Sequence, residues 1–410
     1  MTTIITNLPR LGELSDAQIA EAARAAGEPE WMIERRVAAW QQFATAEPPF
    51  WRRTDLSKFK AETIAAPAAP AGTSLSWDEA SAGQGVVFTT LREALRTNAD
   101  LVQKYFGQAV DLASHKFTAL HAALWQDGVF LYVPKNVSVE APFHVTVTLP
   151  EGGNATVPHN IVVLERGASI SFIEEFTSAN GAAPGGQALS SPATELFVGE
   201  GASLRYVPVQ AWSADVYHIG RQRAVVERDG SLEWVALNLG AQVQHMESET
   251  GLKGDGSRVD WVAATLAGGT QSLLTAPWLR HIGANTEAHM DFKTVVKDTG
   301  YTTFDGMIKI EHESRGTISR LEEHALHLSP KARSDSIPGL MIDTNDVAQA
   351  GHASTSGQVE EEQLFYMQAR GIPRDEAMHM IVMGFFGPVV ERIPSENLRE
   401  HIISMIEARI

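Results

Sequence analysis

The chain has 410 residues, 44% of them apolar, and carries 50 acidic against 33 basic side chains for a formal charge of −17. That balance supports a large buried core and repels a phosphate backbone, so neither nucleic acid nor an anionic membrane is an expected partner. Cysteine is absent, which excludes disulfides, thiolate catalysis and any iron or zinc site built from this chain's own sulfur.

Residues 1–7 lack a basic stretch followed by an apolar one, and the most apolar segment, Met378 to Val390, is too short to span a bilayer. The expectation is a soluble, cytoplasmic protein. Two helices open the chain. Ser15 is placed to N-cap the first, Asp16 to Ala25, and the second runs from about Glu30 to Ala44 with Trp31, Val37, Trp40 and Phe43 on one face. Residues 65–72 alternate Ala and Pro with no core-forming pattern and read as a linker. A further helix is predicted from Thr90 to Phe106 and a shorter one from Phe117 to Trp125, which the Asp127-Gly128 turn closes.

From there the period changes from helical to alternating, as in Val129 to Val133 and Phe143 to Val147. A Gly-Ser turn recurs between short apolar runs, with serines at Ser169, Ser203, Ser231 and Ser257, spaced by 34, 28 and 26 residues. Such a period marks the coil of a stacked β-solenoid. Coils of roughly 27 residues give about eight or nine layers and a rod on the order of 40 Å long. The resulting organisation is an N-terminal helical region over 1–125, a β core over 126–355 and a helical domain over 356–410. A solenoid leaves open strand edges, and the flanking helices are the expected caps. In the last domain the predicted helices are Val359 to Ala369, Arg374 to about Phe385 before Gly387-Pro388, and one N-capped by Ser395 with Leu398, Ile402, Met405 and Ile406 on a stripe.

No local catalytic motif appears. Gly251 to Gly256 is glycine-rich but lacks the Gly-Lys-Ser/Thr order that wraps phosphates, and reads as a solenoid turn. Seven of fourteen histidines, His281, His289, His312, His324, His327, His352 and His379, fall between residues 281 and 379. His324 and His327 read as structural or surface residues, and Glu311-His312-Glu313 as a solvated strand face. His352 differs because Ala350, Gly351, Ala353 and Ser354 around it leave the imidazole unshielded.

His352 through Ser356-Gly357-Gln358-Val359-Glu360-Glu361-Glu362-Gln363-Leu364-Phe365-Tyr366-Met367-Gln368-Ala369-Arg370-Gly371-Ile372 resembles the signature of the SufB/SufD family of iron–sulfur cluster assembly scaffolds. Gly128 to Lys135 with Val139-Glu140-Ala141-Pro142, Trp51 to Leu56, and Gly85 to Leu95 resemble earlier stretches of the same family, in the same order. His121 stands where an asparagine is common. The resemblance implies a thiolate-bearing role for one of the family's two branches, which a chain without cysteine cannot fill, so the other branch is expected.

The resemblance implies a right-handed parallel β-helix between helical domains and a non-catalytic scaffold that pairs with SufB through the β-helix. It implies docking of a SufC ATPase on the C-terminal helices, through Glu361, Gln363, Leu364, Phe365, Tyr366, Arg370 and Gly371. His352 is implied to lie at the SufB interface as a transient ligand of iron or of a nascent iron–sulfur cluster, with no cofactor held stably by this chain. For an isolated chain with that surface bare, the sequence leaves both a homodimer and a monomer open. Two other readings of a solenoid compete. One is a carbohydrate-active lyase or hydrolase using Asp291, Asp305 and Glu311; the other is an inert protein-binding rod.

Overall fold

The computed structural model describes residues 9–67, 72–77, 84–149, 155–179 and 186–410, so the centre of the Ala/Pro stretch, 68–71, lies outside the described residues. The flanks of that stretch are tied down: Ala65 bridges Arg10, and the buried Ala66 donates its N–H to the carbonyl of Pro9. The chain is a β-solenoid of about eight turns, with two long parallel sheets facing each other across one core. One sheet stacks residues 143–149, 169–178, 203–211, 231–238, 258–267, 287–296, 317–327 and 347–358. The other runs from 129–133 through 159–164, 193–198, 216–226, 243–252, 272–281 and 301–304 to 333–336, with 307–310 and 339–342 paired beside its last two rungs.

Register fixes what stacks on what. One inward column reads Phe143, Phe172, Tyr206, Trp234, Trp261, Met290, Leu321 and His352. Large apolar side chains superpose there coil after coil, which is how a quasi-one-dimensional fold buries a continuous core. Of the four serines, Ser169, Ser203 and Ser231 are in register, whereas Ser231 pairs with Arg258, leaving Ser257 one residue early. The feature that truly repeats is the corner just before them. Asn136, Gly167, Gly201, Asp229, Gly256, Asn285 and Gly316 all have φ between 54° and 70°. Their N–H groups donate along the stack, as from Gly167 to the Glu200 carbonyl. Glycine is needed where a corner lies against an Asn or Asp side chain: a Cβ on Gly256 would stand 2.5 Å from Asp229 Oδ1.

Among the described residues five α-helices precede the solenoid: α1 (Asp16–Ala25), α2 (Glu30–Thr45), α3 (Leu91–Thr97), α4 (Ala99–Tyr105) and α5 (Lys116–Leu124). The single helix expected over 90–106 is two, because Asn98 leaves helical geometry at φ −140°. Asparagine competes for backbone hydrogen bonds and is a poor interior helix residue. These helices lie on the outer face of the second sheet, where Trp40, Phe43, Leu120 and Trp125 join Ile161, Val163 and Ile219 in one core.

Three helices follow it: α6 (Glu361–Gln368), α7 (Arg374–Val390) and α8 (Glu396–Glu407), the last N-capped by Ser395 as expected. Gly387-Pro388 does not end α7. The proline falls in its last turn, where it forfeits the one bond its own N–H would make to Gly384, and the burial of Phe386, Val389 and Val390 around it holds the turn. Nor do these helices cap the solenoid. α7 and α8 turn back along the outer face of the first sheet, where Val382, Phe386, Ile402 and Ile406 pack on Val209, Leu237, Val262 and Ala264. The reason is that those strands are apolar on both faces, as in Trp261-Val262-Ala263-Ala264, and need an outer layer as well as a core. Polar clasps flank this seam: Arg392 pairs with Asp260, and His401 and His144 both meet the Glu175 carboxylate, at 3.3 and 3.0 Å.

Candidate functional site

The two rims of the solenoid are built differently. At the N-terminal rim, 73–76 runs antiparallel to 143–149 and 87–90 antiparallel to 129–133, so both sheets are closed off by a reversed strand. Trp77, Phe88 and Phe143 cluster beneath them, with ring centroids 5.1 to 5.9 Å apart. At the C-terminal rim no described strand follows. The last strand, Val347–Gln358, is paired on one side only, and its side chains are exposed or half-buried throughout. On the facing sheet, Ile342 stacks on the fully buried Ile310, and Leu340 on the fully buried Ile308. Yet Ile342 is 45% exposed, as are Met341 (48%) and Ile337 (36%) nearby.

His352 belongs to this rim. It is the final rung of the inward column, directly over Leu321, so its place is in line with the core and its exposure comes only from the lack of a ninth layer. Two residues further along the strand, Ser354 lies over Glu323, which is buried to 1% exposure, and its hydroxyl donates to Glu323 Oε2 at 2.9 Å. Burial pushes the Glu323 carboxyl above the ordinary carboxylate range, the Ser354 and Ser336 hydroxyls opposing it. Sequence reasoning missed Glu323 because it sits between Glu322 and His324, and an acidic-acidic-basic run looks solvated; the alternation of the strand turns only the middle one inward.

The remaining titratable residues take structural places. His281 is fully buried between Thr286 and Ser319 hydroxyls. His324 contacts Thr355 and His327 contacts Ser334. Glu311, His312 and Glu313 form a corner rather than a strand face, and Glu311 is paired with Arg280 and Lys309. Asp291, Asp305 and Glu311 do not converge: Asp291 is on the first sheet beside Lys293, whereas Asp305 and Glu311 follow strands of the second. His121 proves to be part of a buried chain in which its Nε2 meets His159 Nδ1 at 2.9 Å and His159 Nε2 meets Glu195 at 2.9 Å. Among the described residues no group of three or more His, Cys, Asp or Glu is arranged to hold a metal ion, and no helix is long and apolar enough to cross a membrane.

A second exposed surface lies on α6 and the start of α7. Phe365 is 71% and Tyr366 58% exposed, with Met380 beside them on α7 also open. Arg370 stacks its guanidinium on the Tyr366 ring, 3.4 Å from the centroid. Glu361 pairs with Arg374, Gln363 is exposed, and Gly371 ends the α6 region at φ 87°. Leu364 faces the other way: it is 1% exposed and packs inside the helical module.

Comparison with known proteins gives a consistent result. The family described as the SufBD core domain of SUF system FeS cluster assembly matches residues 147–385, and the SufBD protein N-terminal region matches residues 74–145. The chain is 36% identical over 340 residues to the iron–sulfur cluster assembly protein SufD of Bacillus subtilis, covering 82% of this chain and 76% of that one. It is 28% identical over 419 residues to SufB of the same organism, covering 92% and 89%. A SufBD family protein of Staphylococcus saprophyticus is 28% identical over 424 residues, covering 93% and 90%.

Proposed function

Because this chain belongs to the SufB/SufD family, on its SufD side, and so has a role in iron–sulfur cluster assembly, we propose that it is a cytoplasmic scaffold subunit without catalysis of its own. Its bare C-terminal rim pairs with a SufB-type partner, and its exposed α6 surface docks a SufC-type ATPase. The observation that carries this reading is the asymmetry of the rims, one closed by reversed strands and the other ending in exposed isoleucines and an uncovered core column. A bare strand edge beside apolar side chains is what a second solenoid covers at least cost, through backbone hydrogen bonds plus burial. Without that partner, a second copy of this chain meets the same rim.

The chemistry follows from the missing sulfur. With no thiolate in the chain, the partner brings the sulfur ligands, and this chain contributes nitrogen and oxygen donors to a cargo of iron or nascent cluster. His352 is the nitrogen donor placed at that seam. Energy enters from the ATPase on α6.

Co-expression with SufB-type and SufC-type proteins tests each surface separately. Met341→Lys with Ile342→Lys is expected to abolish capture of the SufB-type partner and keep the ATPase, while Phe365→Ala with Tyr366→Ala does the reverse. Capture of the SufB-type partner by the double lysine variant would end the rim reading. His352→Ala is expected to assemble all three subunits yet lower cluster formation in cells, and undiminished formation would remove the imidazole from the mechanism.

A further inference from the structure

Among the described residues three glutamates are buried to 1% exposure or less: Glu174, Glu195 and Glu323. Two are fully engaged. Glu174 receives the Asn160 amide, the Thr194 and Tyr206 hydroxyls and the Gln222 amide. Glu195 receives the N–H groups of Gly107, Ala109 and Val110 and the imidazole of His159. Glu323 receives one hydrogen bond, from the Ser354 hydroxyl at 2.9 Å; the Ser336 hydroxyl near it is unpartnered, and no cationic side chain perturbs it. A carboxyl in that setting costs stability compared with an amide or an apolar residue of similar size. It also lies in the last complete layer beneath the bare rim, held by a hydroxyl from the final strand of its own sheet.

We propose that Glu323 is a second cation ligand of the open end, an oxygen donor one layer below His352 that takes ferrous iron as cargo. The inference rests on the assembly reading above. Both residues occupy inward positions of adjacent strands, since His352 pairs with Leu321 and Ser354 with Glu323. Two residues along a strand and one strand across put their Cα atoms roughly 8 Å apart. A carboxylate and an imidazole at that separation reach one ion with bonds of about 2 Å once the Ser354 hydroxyl lets go. A divalent cation supplies the charge that this buried carboxyl lacks. Two ligands make a half-site, which agrees with the absence among the described residues of any complete one; the partner's thiolates complete it.

The decisive experiment is an anaerobic titration of the assembled complex with cobalt(II) as a spectroscopic stand-in, then with ferrous iron, for parent, Glu323→Gln and Ser354→Ala. Glu323→Gln keeps an acceptor for Ser354, so the complex should assemble and melt at the parent temperature or above it while cobalt(II) affinity falls about tenfold or more. Ser354→Ala removes the competing hydroxyl and should bind cobalt(II) at least as tightly as the parent. Parent-like cobalt(II) binding by Glu323→Gln overturns the inference, as does weakened binding by Ser354→Ala, which decides the matter even if the glutamine variant does not fold. Failure of the parent to capture a SufB-type partner strikes instead at the assembly reading.

Discussion

The two rims of the solenoid end the same parallel coil in opposite ways. At the first, a chain that has not yet begun to coil is turned back as two antiparallel strands, and Trp77, Phe88 and Phe143 seal the core. At the second, the core column simply stops, so that Ile342 is exposed above a fully buried Ile310 and His352 above a fully buried Leu321. The difference teaches that rim exposure here is not a failure of the sequence to close an edge, because the same sequence closes the other one. The helices that had the length to cover the second rim are spent on the flank of the first sheet instead.

The sharpest way to break this comparison is truncation of matching side chains. Phe88→Ala at the sealed rim should cost the isolated chain about 3–4 kcal/mol in a urea titration, whereas Ile342→Ala at the bare rim should cost less than about 1 kcal/mol. Equal losses would mean that both rims are structural. Acid provides a second, broader test. Burial, first of all, lowers His115 to about 4, His121 to about 3, His218 to about 3 and His281 to about 4. The folded protein holds these imidazoles neutral while the unfolded chain takes up protons below about pH 6.5, so stability is complete above that pH and falls as pH drops toward 3–4. Since His115 and His121 lie in the N-terminal helical region and His218 and His281 on inner strands of the second sheet, none in the final coil, the loss should appear by hydrogen exchange in those segments before the rim strand 347–358 changes; an earlier opening of the rim would contradict this. The smallest effect is expected from His352→Ala alone, within about 0.5 kcal/mol of the parent in thermal unfolding, because the imidazole is packed by nothing above it.

Much of this architecture was legible in the residues. Gly-Ser turns at a period near 27 gave the coil, Ser15 and Ser395 gave helix starts, and the small residues around His352 gave an unshielded imidazole. What escaped has a physical pattern. Ser257 falls one residue out of register because the recurring geometry is a left-handed corner, filled by Gly at some coils and by Asn or Asp at others, not the serine after it. The break at Asn98 was hidden because apolar spacing continues across it. The flank position of α7 and α8 was hidden because an apolar strand reads the same whether its second face meets helix or core. Likewise the place of His352 as an unfinished rung, and of Glu323 beneath it, depends on pairing between residues 31 apart, such as His352 with Leu321, that no local window contains.

The chain path after the last strand has a mechanical consequence. Residues 347–358 form the rim strand and α6 begins at Glu361, so only Val359 and Glu360 separate them. α7 and α8, by contrast, are riveted to the middle of the rod by aliphatic contacts and by the Arg392 and His401 clasps. α6 is therefore a short crank arm between a fixed bearing and the edge bearing His352: torque applied to it has almost no slack to take up before the terminal strand feels it.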